Sequence, residues 1–144
     1  MVDYTVTAGT ATGSGTDFTL ASGSVTITAL STSANINFTV NSDLLDEDNE
    51  DFQVTLDSVS TGNATLGGTS TYTYTINDDD GPPSLSIDNV SVAENAGTAQ
   101  FTVTLSAASG KTVTVDYDSA DVSAVAGSDY TAVSSNLTFN PGVT

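Results

Sequence analysis

The side chains able to do chemistry in this sequence are almost all carboxylates, and they are clustered. One cluster is Asp43-Leu44-Leu45-Asp46-Glu47-Asp48-Asn49-Glu50-Asp51 and another is Asp78-Asp79-Asp80, with Asp17 standing apart in Gly15-Thr16-Asp17-Phe18. There are 18 acidic residues against one basic residue, Lys111, and the formal charge is −17. Histidine and cysteine are both absent, which removes the usual general base, the Ser-His-Asp arrangement, imidazole and thiolate metal sites, and any disulfide framework. What remains is a set of hard oxygen donors. Crowding them is costly, because like charges raise one another's pKa values or force the loops apart. A cation resolves that conflict. Calcium fits best, since it takes 6–8 oxygen ligands in flexible geometry, whereas magnesium demands an octahedron and zinc prefers nitrogen or sulfur.

Other function classes fit less well. A surface this acidic repels nucleic acid and anionic lipid, and no apolar run approaches the roughly 20 residues that cross a bilayer. Paired carboxylates serve glycoside hydrolysis, but that needs aromatic sugar platforms and an apolar setting for one carboxyl, and the sequence has no tryptophan. No enzyme is expected.

The elements that must position the carboxylates show a period of two. Apolar residues alternate with Thr, Ser, Asn and Asp in Val2-Tyr4-Val6, Val25-Ile27, Ile36-Phe38-Val40, Phe52-Val54-Leu56 and Tyr72-Tyr74-Ile76. The pattern continues through Leu85-Ile87, Val90-Val92, Phe101-Val103-Leu105, Val113-Val115-Tyr117 and Leu137-Phe139. No helical stripe competes, and Gly/Ser/Asn/Asp loops recur at sandwich intervals, so the spacing predicts an all-β, antiparallel, immunoglobulin-like β-sandwich. If neighbouring strands are antiparallel, the loop before strand 52–57 and the end of strand 71–77 fall at one pole. That pole then gathers Asp43–Asp51 and Asp78–Asp80, with the loop holding Asp17 beside them.

The pattern also repeats. Val2-Asp3-Tyr4, Gly15-Thr16-Asp17-Phe18 and Val25-Thr26-Ile27 are echoed by Val115-Asp116-Tyr117, Gly127-Ser128-Asp129-Tyr130 and Leu137-Thr138-Phe139, at a spacing of 112 or 113 residues. That spacing is one sandwich domain. The expected organisation is therefore residues 1–80 as the last five strands of one repeat, 81–83 (Gly-Pro-Pro) as a stiff linker, and 84–144 as the first four strands of the next. No secretory leader is visible after Met1, so a secretion signal is expected to be encoded elsewhere.

Three stretches resemble the Calx-beta family: Ala126-Gly127-Ser128-Asp129-Tyr130, the Glu47 and Glu50 pair before Phe52, and Thr75-Ile76-Asn77-Asp78-Asp79-Asp80. Each motif is degenerate alone, and their order is what is specific. The resemblance implies calcium binding or adhesion in tandem arrays, at a cell surface or outside the cell. It places calcium ligands on Asp17, Asp43, Glu47, Glu50, Asp78, Asp79 and Asp80 in the first repeat, and on Glu94 and Asp129 in the second. Ser42 and Leu44 flank Asp43 where many members carry consecutive aspartates, which weakens at least one ion site.

The expected partners are calcium ions and neighbouring repeats, with strand-swapped or head-to-tail self-association and no nucleic acid or direct membrane insertion. A calcium-independent acidic spacer is the alternative. On that reading Asp43–Asp51 is a solvated turn, Asp17 and Asp129 are turn residues, and Asp78–Asp80 is linker. Asp57, Asp88, Asp116, Asp118 and Asp121 are expected to face solvent, and the five tyrosines to pack along strands.

Overall fold

A computed structural model of the chain describes residues 1–143. Threonine, valine and tyrosine fill the strands, as suits β-branched and aromatic residues on a pleated surface. Ten strands form, all paired antiparallel, and the one helical turn among the described residues is a three-residue 3₁₀ turn, Glu94–Ala96. By contacts the chain divides into two units. Unit 1 holds Met1–Asp43 and Asp48–Asp78, and unit 2 holds Leu44–Glu47 and Asp79–Thr144.

Unit 1 is built on β5 (Glu50–Val59), the longest strand. It pairs on one side with β1 (Val2–Ala8), from Ala8 opposite Phe52 to Val2 opposite Val59, with a bulge between Asp3 and Tyr4. On its other side lies β6 (Thr71–Ile76), and β3 (Gly23–Val25) extends the sheet beyond β1, giving the order β3-β1-β5-β6. A second layer is the short pair β2 (Phe18–Thr19) and β4 (Thr39–Val40).

The layers meet on aromatic rings. Phe18 stacks on Phe52 with centroids 3.9 Å apart, and Phe38 stands edge-on to both Phe52 and Tyr74 at 5.2 and 4.6 Å. Phe18, Phe52 and Ala11 are buried, with Val6, Leu20, Val54 and Ile76 around them. The alternation along β5 explains this core, since residue 52 turns inward and Gln53 outward.

Unit 2 contains two separate antiparallel pairs: β7 (Leu85–Ile87) with β8 (Val103–Leu105), and β9 (Val113–Asp118) with β10 (Ser134–Phe139). Its buried side chains are Leu105 and Ser109, while Ile87 and Phe101 stay more than half exposed. The internal repeat reaches the register. Val2 faces Val25 across β1 and β3, and their counterparts Val115 and Leu137 face each other across β9 and β10.

Two local expectations need correction. Val90–Val92 lies in no strand, because its stretch has no partner to complete a ladder. Of the expected strand through Ile36, Phe38 and Val40, only Thr39–Val40 is paired, and the preceding residues are held by ring contacts instead.

Candidate metal centre

The acidic loops of unit 1 are tied together by a continuous set of hydrogen bonds. The Asp17 carbonyl accepts the Asn41 N–H at 2.9 Å, and Asn41 Nδ2 donates to the Thr16 carbonyl at 3.1 Å, so the chain leading to Asp43 is fastened to the loop of Asp17. The Asp17 carboxylate accepts the N–H of Thr12. One residue back, Ala11 donates its N–H to the Asp51 carbonyl at 2.9 Å, Thr10 N–H donates to Asp51 Oδ1 at 3.2 Å, and Asp51 N–H returns a bond to Thr10 Oγ1 at 2.9 Å. Beside it, Glu50 faces Ile76 across the β5–β6 ladder. Asn49 Oδ1 accepts the Asp78 N–H at 3.0 Å and Asn49 Nδ2 donates to Asn77 Oδ1 at 3.2 Å.

This girdle brings the segments of Asp17, Asp43, Glu50 and Asp78 to one end of unit 1. Asp17, Glu50 and Asp78 are half-buried there, and Asp43 is exposed. The core rings of Phe18 and Phe52 follow Asp17 and Asp51 directly, so the aromatic stack anchors the loops from below. Gly9 is needed at one tight point, since an added Cβ would strike the carboxylate and carbonyl of Asp51.

The other expected ligands belong to unit 2. Glu47 and Asp80 are half-buried and Asp79, Glu94 and Asp129 exposed. Glu94 opens the 3₁₀ turn. Asp129 Oδ2 accepts the Val125 N–H at 2.8 Å, and Gly127 N–H donates to the Tyr130 carbonyl at 2.8 Å. Gly15 makes the same bond to Phe18 at 3.0 Å, and both glycines hold positive φ, +94° and +84°. The two loops are one turn used twice, in which a left-handed glycine sets up an aspartate that accepts an upstream N–H.

Residues outside the expected set also organise these loops. Asn49 and Asp51 are central to the girdle, and a signal was available, since Asn and Asp at a strand's entrance commonly bond nearby backbone. In unit 2, Asp46 accepts from Lys111 Nζ at 3.0 Å, and its carbonyl accepts the Gly110 N–H at 3.1 Å. Ser109, which is buried, accepts the Lys111 N–H at 3.0 Å. Asp121 is exposed, as expected, but is engaged: its Oδ1 accepts from Tyr130 Oη at 2.7 Å and from the Ala126 N–H at 2.8 Å. The phenol bond, then the backbone bond, holds the Asp121 carboxyl below its ordinary value, and the same carboxylate raises the Tyr130 phenol.

The sequence matches the Calx-beta domain over residues 1–80 and again over 82–144. The chain belongs to the Calx-beta family. Calx-beta domains are non-catalytic β-sandwiches associated with calcium, which accords with the two-layered unit 1. No curated protein matches this sequence.

As a donor set, the Calx-beta loops of unit 1 fit calcium: carboxylates, side-chain amide oxygens and backbone carbonyls, with no nitrogen or sulfur ligand. Their geometry is not a finished cage. Among the described residues no three carboxylates stand close enough together to hold an ion as they are placed.

Proposed function

We propose that the chain is a calcium-binding structural and adhesive module of a larger tandem-repeat protein at the cell surface or outside the cell. Calcium bridges the acidic loops at the end of unit 1, drawing in the carboxylates of Asp17, Asp43, Glu50 and Asp78. Glu47, Asp79, Asp80, Glu94 and Asp129 are the further ligand candidates from the family resemblance. Bridging fixes the loops, and a tandem array stiffens as its members do. The observation that carries this reading is the girdle itself. Four acidic segments separated along the chain are held at one end of a sandwich, where their repulsion is relieved by a divalent ion.

Calcium titration by calorimetry, with thermal melts in calcium and in chelator, tests the proposal. Saturable binding is expected, with a melting point raised in calcium and both effects lost in an Asp78→Ala/Asp79→Ala variant. At about 100 times its dissociation constant, each independent ion adds roughly 2.7 kcal/mol of stability. No binding heat and an unchanged melt sink it.

A second reading, a calcium-independent acidic spacer, is favoured by one observation. Asp17 and Asp129 each already use a carboxylate oxygen on a backbone N–H, and Asp46 is paired with Lys111. The same titration separates the two.

A further inference from the structure

Beside β4, the sandwich of unit 1 is open. One edge of β4 pairs with β2 and the other carries no strand among the described residues. Next to that edge lies a groove whose walls are Ile36, Val54, Leu56 and Tyr72, with its floor closed by Thr69–Thr71. An open edge above an apolar trough is what an added strand occupies: backbone pairing supplies the ladder and alternate side chains fill the trough.

The chain itself shows which strand suits the place. In unit 2 the hairpin β7–β8 comes immediately before β9, and β9 is the counterpart of β1 in both sequence spacing and register. Unit 1 has β1 to β6 and no counterpart of β7–β8 among the described residues. The hairpin in turn is under-packed. Leu85 is 38%, Ile87 63% and Phe101 56% exposed, and β8 has a free edge beyond its pairing with β7. Counting reversals from β8 through β9 and β10 to a β4-type strand makes β8 antiparallel to β4.

A chain cannot fill its own groove with this hairpin. β6 ends at Ile76, at the acidic end, and β7 would have to begin at the far end of the sandwich. That length, taken from β5, is about 33 Å for its ten residues. The segment 77–84 reaches no more than about 29 Å when fully extended, and its two prolines shorten it.

We infer that the β7–β8 hairpin of one copy of this chain adds to the β4 edge of a second copy, seating Ile87, Phe101 and Val103 in the groove of unit 1. The resulting association is head-to-tail and independent of calcium.

The absence of cysteine allows a direct test. Thr39 and Thr104 are both exposed and lie on the outward faces of β4 and β8, between inward-facing neighbours. Thr39→Cys and Thr104→Cys chains, mixed under mild oxidation in chelator, are expected to form a mixed disulfide dimer. Sedimentation of the unmodified chain should show mass rising with concentration, and Ile87→Asp should abolish both signals while circular dichroism keeps the β spectrum. A concentration-independent monomer with no mixed disulfide overturns the inference. So does a Thr39→Cys/Thr104→Cys chain that closes its own disulfide as a monomer.

Discussion

Tyr130 Oη donates to Asp121 at 2.7 Å, and that bond gives the loop of residues 119–133 a defined response to pH. Asp121 has its carboxyl lowered by the phenol bond first and by the Ala126 N–H second, so its stabilising effect is present above the unfolded carboxylate value. It is lost as the pH falls through the lowered folded value. Tyr130 is shifted the opposite way by Asp121, so its contribution is present below the unfolded phenol value and lost as pH rises through the raised one. The loop is therefore best ordered on the plateau between the two. Tyr130→Phe is expected to move the Asp121 titration, followed by carboxyl NMR, upward towards the ordinary range, and an unmoved curve would show that the bond does not form. At this scale the sequence was legible where turn chemistry is local. The Gly-x-Asp-aromatic spelling at 15–18 and 127–130 is enough to foresee both turns. The partners of Asp46 and Asp121 were not legible, because Lys111 is 65 residues from the one and Tyr130 belongs to a loop whose closure depends on a phenol reaching back.

The strands that alternation revealed most clearly are those with one buried face. β1, β5, β6 and β9 carry that signature because one side meets a core or a covering layer, and the expected ranges fall within a few residues of the observed ones. β2 escaped because two residues hold no period; it exists because Phe18 must lie flat on Phe52. Val90–Val92 failed for the opposite reason, a correct alternation with no neighbouring ladder. Since Phe52 is fully buried and touches three other rings, Phe52→Ala is expected to cost about 3–5 kcal/mol in urea unfolding. Gly9→Ala should act on the same end of unit 1 without touching the core, by pushing Asp51 away from Thr10 and Ala11. A loss of stability on the order of 1–3 kcal/mol is expected, with loosened amide exchange at those residues; no change would mean that the girdle tolerates displacement of Asp51.

For the molecule as a whole, a charge of −17 on 144 residues means that self-repulsion opposes folding at every ionic strength. Sodium chloride is expected to raise the melting temperature gradually, through screening. Calcium at far lower ionic strength should raise it further if the loops bind the ion. Parallel melts at matched ionic strength separate the two, and coincident curves would leave screening as the whole effect. The composition made the acidity plain, and reversal counting brought the acidic loops of unit 1 to one end. What it could not supply is side-chain aim: Asp17 spends a carboxylate oxygen on Thr12, and that depends on the turn's detailed backbone.

The sole lysine has one more consequence. A digestive protease that cuts only after basic residues finds a single target bond in this chain, Lys111–Thr112. That bond sits in a clasp: the ammonium is on Asp46, the Lys111 N–H is on buried Ser109, and the Gly110 N–H is on the Asp46 carbonyl. Cleavage there requires the clasp to open. Trypsin therefore reads one local opening equilibrium, with no competing cuts, and a chain otherwise without basic residues gives such enzymes nothing else to attack.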